Sequence, residues 1–255
     1  MNTIAHEPGK QLLYSCALVF IRGYFTLALM SRGAFITFEG SEGCGKTTQV
    51  QRLAARFEQI GLPVLVTREP GGTPIGEKIR DLLQFAPESH AMAPETELLL
   101  FEASRSQLVR ELITPALESG SIVISDRFFD STTVYQGVAR RLEPAIVAAL
   151  NDFAAGWGQP DLTIVLDLDP AAARVRMMRR ARPVQSVDRM EQEPAEFYEQ
   201  VSEGYRQLAR REATRIHLID GSGSPDDIAD LIWKEVSKRF PTLVDRIEQN
   251  PKSTG

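Results

Sequence analysis

A phosphate-binding loop lies near the start of the chain, and its residue types and spacing suit a nucleotide ligand. Residues 40–47 read Gly-Ser-Glu-Gly-Cys-Gly-Lys-Thr, which satisfies the pattern G-x-x-x-x-G-K-[ST] at each fixed position. The glycines let backbone N–H groups turn inward around a phosphate, Lys46 adds a positive charge, and Thr47 offers a hydroxyl to Mg²⁺. A glycine-rich turn could match this pattern by chance, with odds on the order of 0.01 for a chain of this length. We therefore predict a nucleotide-binding loop.

Two further sets of charged residues suit phosphate chemistry. Asp126 and Arg127 follow an apolar run, where the acid could act near Mg²⁺ and the planar guanidinium could bind a second phosphate. Residues 174–189 are dense in arginine, which is expected of a lid that neutralises a transferring phosphoryl group. The alternatives are a surface ion pair and a solvated basic helix face. GTPases also carry an N-K-x-D string, which this sequence lacks, so the combination favours a small kinase of nucleoside monophosphates.

The elements that must position these residues alternate between strands and helices. An apolar run at 34–38 precedes the loop and a helical pattern at 48–60 follows it, which is the context that the motif requires. Further strands are predicted at 63–67, 121–125, 162–168 and 215–219. Further helices are predicted at 74–85, 95–118, 144–157, 194–211 and 226–240, with another beginning at Pro170, whereas 128–141 is a polar segment without an assigned element.

This alternation predicts an α/β fold of three layers, with a five-stranded parallel sheet and helices on both faces. Together with the phosphate loop and the Arg-rich lid, this is expected to be a P-loop kinase fold. Ligands of such sheets bind at the carboxyl ends of the strands. Loops 40–47, 68–73 and 126–137 all follow strand ends. We therefore expect these three loops to converge on one crevice.

Composition limits the partners and the compartment. The net charge is −5 and the pI is about 5.4, so the chain shows no general preference for nucleic acid or a membrane surface. Its two cysteines, Cys16 and Cys44, lie in the N-terminal segment and in the phosphate loop, which predicts no structural disulfide and a reducing, cytoplasmic location. Cys44 is either a tolerated small residue or a redox sensor.

The two ends of the chain read differently from its middle. Residues 1–32 are predicted to be an N-terminal extension outside the fold, because the apolar stretch 12–30 is interrupted by Arg22 and Gly23 and suits neither a membrane span nor a signal peptide. We hypothesise that synthesis naturally starts at Met30, which an intact-mass measurement of the natively expressed protein would test. The kinase domain is predicted at 33–240 and a C-terminal tail at 241–255.

Several motifs together resemble the bacterial thymidylate kinase family. These are the phosphate loop with Glu42, the run Thr67-Arg68-Glu69-Pro70-Gly71-Gly72-Thr73, Phe101 with Arg105, Asp126-Arg127-Phe128 with Ser131-Thr132 and Tyr135-Gln136-Gly137, Pro160-Asp161-Leu162-Thr163, and Asp188-Arg189-Met190-Glu191. The match is collinear over about residues 32–240. The resemblance implies transfer of the γ-phosphoryl group of ATP to dTMP, giving dTDP and ADP, which is a step in dTTP synthesis for DNA replication. It also implies that the protein forms a homodimer. A kinase of another small nucleoside monophosphate and a non-catalytic nucleotide-binding module are the alternatives.

On the donor side, the resemblance implies that Lys46 is catalytic and that Thr47 and Asp126 act at Mg²⁺. The predicted ATP contacts are Gly40, Ser41, Glu42, Gly43, Cys44, Gly45, Lys46, Thr47 and Thr48. One branch of the family carries an arginine in the loop, at the place of Gly43, and the other places the catalytic arginine in the lid. This chain resembles the second branch, with Arg182 as the first candidate and Arg179 as the second.

On the acceptor side, the resemblance implies a phosphate clamp and a base pocket. Arg68 and Arg127 would hold the 5′-phosphate of dTMP, Phe101 would stack on thymine, and Arg105 would donate to the carbonyl edge of the base. Glu42 would face the sugar 3′-hydroxyl and Tyr135 would occupy the place of a ribose 2′-hydroxyl. The remaining predicted residues are Ser131, Thr132 and Gln136 at the polar edge, and Asp188, Arg189 and Glu191 in the lid.

Overall fold

The structure of the protein is a computed structural model that describes residues 32–179 and 188–243. The predicted N-terminal extension up to residue 31, the tail beyond residue 243 and the candidate lid residue Arg182 lie outside the described residues. Within the two described ranges, none of the helices combines the length and the apolar character that crossing a membrane requires.

Five parallel strands form the central sheet of the described residues. Their bounds are Phe35–Glu39 (β1), Val64–Arg68 (β2), Ile122–Asp126 (β3), Leu162–Asp167 (β4) and Ile216–Asp220 (β5). The strands lie in the order β2-β3-β1-β4-β5, and each neighbouring pair is parallel. The predicted parallel sheet is therefore confirmed. Because β1 lies between β3 and β4, its carboxyl end is a switch point of the sheet, where ligands of such folds bind.

Helices cover both faces of the sheet in the described ranges. Their bounds are Lys46–Gln59 (α1), Pro74–Gln84 (α2), Pro94–Leu108 (α3), Thr114–Glu118 (α4), Phe129–Thr132 (α5), Pro144–Ala155 (α6), Pro170–Met178 (α7), Ala195–Arg211 (α8) and Pro225–Arg239 (α9). Short 3₁₀ helices span Pro87–Ala91 and Arg189–Gln192. The predicted start of α2 is confirmed, because the Thr73 hydroxyl accepts a hydrogen bond from the N–H of Gly76.

The side chains of β1 alternate between the two faces, as the period of a strand requires. Ile36 and Phe38 belong to the core cluster that contains residues of α1 and α9. Phe35 belongs to the cluster on the opposite face, with Leu108 of α3. Glu39, two pleats further along, is fully buried and bonds to a side chain of α8. Glu39, the carboxylate at the end of β1, therefore lies on the same face of the sheet as Phe35.

The polar segment 128–141 is helical, which the sequence pattern did not indicate. Helix α5 continues into a π-helix, Thr133–Ala139. β-branched residues and Gly137 give this segment a weak intrinsic helix propensity. Its apolar side chains share a buried cluster with α8, so tertiary packing decides the conformation. Stretches of π-helix are rare, and those that do occur are often found at functional sites.

The helix predicted over 95–118 changes its hydrogen-bond pattern along its length. Helix α3 passes through a π-turn, Val109–Ile113, before α4 begins. Pro115, the second residue of α4, has no N–H to donate to the preceding turn. The widened turn therefore lies at the point where the normal helical bond would be missing.

Candidate active site

The phosphate loop connects β1 to α1 and packs so tightly that two of its positions require glycine. Gly43 has φ of +80°, and a Cβ atom there would lie 2.5 Å from the carbonyl oxygen of Ala173 on α7. Gly40 has φ of +130°, and its Cβ would lie 2.6 Å from the carbonyl oxygen of Leu166. Both the backbone conformation and the close neighbours exclude a side chain at these positions.

Lys46, the first residue of α1, holds its ammonium group against the loop itself. Its Nζ donates to the carbonyl oxygens of Gly40, at 3.0 Å, and of Ser41, at 2.9 Å. Cys44 is buried beside it, with the Sγ atom 3.7 Å from Nζ. The positive end of the α1 dipole and this ammonium therefore point to the same place, which is the arrangement that binds phosphate.

A hydroxyl and a carboxylate meet beside the loop. Thr47 Oγ1 donates to Asp126 Oδ2 at 2.6 Å, although the two residues are far apart in the sequence. No group of three or more His, Cys, Asp or Glu side chains within residues 32–179 and 188–243 could hold a metal by itself. Mg²⁺ is commonly held by one or two protein oxygens together with water and substrate phosphates, so the Thr47–Asp126 pair fits a magnesium ion.

A cleft of about 430 Å³, counting its open mouth, lies next to the loop. It is lined by residues of all three predicted loops, so their expected convergence on one crevice is confirmed. The predicted acceptor residues that line it are Glu42, Phe101, Arg105, Arg127, Ser131, Thr132, Tyr135 and Gln136. The predicted lid residue Asp188 and its neighbour Met190 also line the cleft.

Arg127 stands where the cleft meets the phosphate loop. Its backbone is left-handed, with φ of 73°, a conformation that a non-glycine residue adopts at an energetic cost of about 1–3 kcal/mol. Its guanidinium donates to Gly40 O at 3.0 Å, to Glu42 Oε1 at 2.6 Å and to Tyr135 OH at 3.2 Å. Burial alone would lower the pKa of Arg127, but the neighbouring Tyr135 and Glu42 raise it overall, so the group is a permanent cation.

Arg105 lies deeper in the same cleft, within a buried network of charges. Its guanidinium contacts Glu69 Oε2 and Glu102 Oε1, each at 2.7 Å, and donates to Thr132 Oγ1 at 2.8 Å and to Asn151 Oδ1 at 3.1 Å. Burial raises the pKa of the Glu69 carboxyl to about 7, against the opposing effect of Arg105. Two carboxylates, a hydroxyl and an amide oxygen therefore hold Arg105, the side chain that is predicted to read the base.

Some predicted residues lie apart from this cleft. Arg68 pairs with Glu77 at 2.9 Å, and its side chain is 51% exposed and does not line the cleft. Thr48 is exposed on α1, and Arg179 is exposed just after α7. The structure therefore brings most of the predicted acceptor site together, but it does not place Arg68 there.

Two predicted lid residues, Asp188 and Arg189, are held by hydrogen bonds in the described structure. Arg189 is buried and donates to the backbone oxygen of Leu83 at 3.2 Å and to the carboxylate of Glu97. Asp188 accepts a hydrogen bond from the N–H of Met190 at 2.8 Å. Burial raises the pKa of the Asp188 carboxyl to about 6.

Three buried polar residues of the site carry no role in the sequence prediction. Glu69 lies in the motif of residues 67–73, and its buried ion pair with Arg105 gives this acid a structural reason. Glu39 could have been noticed, since a carboxylate at the end of an apolar strand needs a partner. Tyr205 follows the apolar spacing of α8, and nothing in the sequence distinguishes it from ordinary core.

The fold and the site together define a P-loop phosphotransferase that acts on a small acceptor, because a phosphate loop and an arginine-lined pocket share one crevice at the switch point of the sheet. The family model for thymidylate kinase matches residues 38–232. The thymidylate kinase of Geobacter sulfurreducens is 47% identical over 211 residues, covering 82% of this chain and 99% of that one. The chain belongs to the thymidylate kinase family.

Two further comparisons agree. The thymidylate kinase of Deinococcus radiodurans is 43% identical over 210 residues, covering 82% of this chain and 99% of that protein. The crystal structure of thymidylate kinase from Ehrlichia chaffeensis is similar with a TM-score of 0.65 at 32% identity, covering 81% of this chain and 99% of that one. Relatives therefore match along nearly their whole length.

Proposed function

We propose that this chain transfers the γ-phosphoryl group of ATP to dTMP, giving dTDP and ADP, a step in dTTP synthesis for DNA replication. One observation carries the proposal beyond family membership. Lys46 Nζ and Arg127 Nη1 both donate to the same oxygen, that of Gly40, at 3.0 Å each. The cation of the donor loop and the cation of the acceptor pocket are therefore neighbours, so phosphates bound to each would meet.

The residues of the donor side would work by positioning and by neutralising charge, which is most of the catalysis in phosphoryl transfer. The loop amides and Lys46 would hold the ATP phosphates at the start of α1. Thr47 and Asp126 would hold Mg²⁺, which when bound neutralises charge on the phosphate oxygens. The two side chains already lie within hydrogen-bond distance of each other, at 2.6 Å.

The residues of the acceptor side would select dTMP. Arg127 would bind the 5′-phosphate, and Phe101 would stack on the thymine ring at the cleft wall. Arg105 would read the carbonyl edge of the base. Glu42 would accept from the 3′-hydroxyl, and Tyr135, whose OH donates to Glu42 Oε2 at 2.7 Å, would leave no room for a 2′-hydroxyl. Ser131, Thr132 and Gln136 would complete the polar edge, and Arg68 would act as a second clamp only after leaving Glu77.

The lid would supply the last cation. A loop arginine at position 43 is excluded on steric grounds, because a side chain there would collide with the backbone of α7. This supports the assignment of the catalytic arginine to the lid. Arg182 is the first candidate and Arg179, which is exposed after α7, is the second.

We also assign a homodimer and a cytoplasmic location to the functional protein. Helix α6 and the residues after it present Ile146, Phe153 and Trp157, which are 57%, 73% and 92% exposed. Together with the partly buried Leu150 they recur at helical spacing, as expected of a face that a second copy covers. Light scattering of the purified chain would give the mass of a dimer.

A coupled assay of ADP formation over a panel of acceptors tests the function. We expect turnover with dTMP to exceed that with dUMP, dCMP, GMP and AMP. The alternative, a kinase of another small nucleoside monophosphate, predicts preference for a different member of the panel. A preference for a purine monophosphate, or no turnover with any acceptor, would overturn the proposal.

A further inference from the structure

A buried carboxylate at the end of β1 has no part in the chemistry proposed above. Glu39 is fully buried beneath Arg127, and its two oxygens accept hydrogen bonds from three residues. Oε1 accepts from the N–H of Phe128 at 2.7 Å, and Oε2 accepts from Ser131 Oγ at 2.5 Å and from Tyr205 OH at 2.8 Å. Two hydroxyl groups, from α5 and from α8, therefore point their protons at the same buried oxygen.

The same two hydroxyls lie next to Arg127. Nη1 of Arg127 donates to Ser131 Oγ at 3.0 Å and to Tyr205 OH at 3.4 Å. A hydroxyl has a single proton, so one that accepts from a guanidinium can donate only onward. The bonds therefore run from the arginine to the two hydroxyls, which lie 3.0 Å from each other, and on to Glu39. This makes Glu39 the buried counter-charge of Arg127, although the two charged groups do not touch.

The hydrogen bonds to Ser131 and Tyr205 determine which edge of the Arg127 guanidinium is held. Nη1 is engaged by Ser131, Tyr205 and the backbone of Gly40, all of which are parts of the fixed scaffold. Nη2 bonds to Glu42 and Tyr135, the residues that face the sugar in the proposed function. The left-handed backbone of Arg127 is strained, and such a conformation persists where the surrounding contacts over-determine it.

We infer that Glu39 and Tyr205 are positioning residues for the acceptor phosphate. They hold Arg127 in place through hydroxyl groups, and the buried negative charge of Glu39 stabilises the positive charge of the guanidinium. This inference rests on the proposed function, since it takes the phosphate of dTMP as the ligand of Arg127. It assigns a role to a tyrosine on α8 that none of the sequence motifs includes. Neither residue touches the substrate, so their effect is transmitted by the arginine.

The structure offers a matched pair of substitutions. Tyr205→Phe removes one hydroxyl and keeps the ring, which packs in the buried cluster of α8. Tyr198→Phe is the control, because Tyr198 is also buried on α8 and also loses one hydroxyl, which donates to Met190 O at 2.6 Å. Both variants lose one buried hydroxyl of the same helix, but only Tyr205 is connected to Arg127. Glu39→Gln is the second test variant and removes the counter-charge itself.

Calorimetric titration of the full chain with dTMP and with thymidine separates a phosphate effect from a structural one. Burial raises the pKa of the Glu39 carboxyl to about 7, with Asp130 adding to the rise, so the titrations belong at pH 8, where Glu39 is mostly ionised. We expect Tyr205→Phe to weaken dTMP binding by about tenfold, the size of a lost hydrogen bond to a charged group. Thymidine, which lacks the phosphate, should bind to this variant within twofold of its affinity for the unmodified chain.

Glu39→Gln should weaken dTMP binding at least as much as Tyr205→Phe, and Tyr198→Phe should leave both ligands unchanged. An equal loss for dTMP and thymidine, or no loss for dTMP in the folded Tyr205→Phe protein, would overturn the inference. If Glu39→Gln does not fold, the comparison of the two tyrosine variants decides alone. An unmodified chain that does not bind dTMP contradicts the proposed function, and the inference with it.

Discussion

The two halves of the crevice are built in different ways. The donor side is one continuous stretch, residues 40–47, whose shape comes from the backbone and from glycines that admit no side chain. The acceptor side is assembled from side chains of several distant segments, and its arginines are paired with carboxylates. The first half depends on local conformation, and the second depends on long-range packing of charged groups.

Because the two sides are built differently, substitutions on each side should have different effects on activity and stability. A change on the donor side should remove chemistry while the fold and the acceptor pocket persist. A change on the acceptor side should affect stability and selectivity together, because burying a charge without its partner is unfavourable. The following substitutions test this contrast, beginning with the largest expected effect.

Lys46→Met removes the donor cation but leaves the backbone of the loop. We expect kcat to fall by about 10³-fold, the effect of losing a group that stabilises transition-state charge. Titration should show dTMP affinity nearly unchanged, because the acceptor pocket does not include Lys46. Lys78→Met, on the exposed surface of α2, is the control and should retain activity. A large loss of dTMP affinity in Lys46→Met would show that the two halves are not separable.

Arg105→Met leaves Glu69 and Glu102 buried without their shared counter-charge. We expect the free energy of unfolding to fall by about 3 kcal/mol, measured by urea denaturation at pH 8. Arg110→Met is the matched control, since Arg110 is exposed and donates to the Ser106 hydroxyl near the surface. Equal stability of the two variants would mean that the buried network contributes little.

Asp188→Asn tests the charge balance at the base of the lid. The pKa of Asp188 is raised from 3.8 to about 6 by burial, so its contribution to stability is present at low pH and is lost as the pH rises through 6. We expect the free energy of unfolding of the unmodified chain to fall by about 2 kcal/mol more than that of the variant between pH 4 and pH 7. Asparagine keeps the acceptor for Met190 and does not ionise, so identical pH profiles would contradict this assignment.

Tyr135→Ala tests sugar selection on the acceptor side. We expect the ratio of kcat/KM between dTMP and the corresponding ribonucleotide to narrow by about tenfold, because the variant opens space beside Glu42. Tyr135→Phe keeps the ring and should keep most of the selectivity. An unchanged ratio in Tyr135→Ala would show that another group excludes the 2′-hydroxyl.

Much of the fold follows from local signals in the sequence. Strand β1, the phosphate loop and α1 are predictable together, because the motif fixes their order and the apolar run marks the strand. The helical form of 128–141 is not predictable in this way. Its β-branched residues and its glycine disfavour a helix locally, and packing against α8 overrides them.

The site residues also fall into those that a local motif predicts and those that depend on long-range packing. Lys46 and Thr47 are visible in the sequence because one motif contains the whole donor cradle. The ion pair between Arg127 and Glu42, and the buried partners of Arg105, depend on the folded chain and follow from no spacing. Tyr205 is the clearest case, since its hydroxyl reaches Ser131 across 74 residues of sequence and its position in α8 resembles that of any core residue.

The most direct test of the central claim is a crystal structure of the protein with dTMP and a non-hydrolysable ATP analogue. The account predicts the γ-phosphate against Lys46, the 5′-phosphate of dTMP against Arg127, and the thymine ring between Phe101 and Arg105. Density for dTMP outside the cleft that Phe101, Arg105 and Arg127 line, or an analogue bound away from residues 40–47, would contradict it.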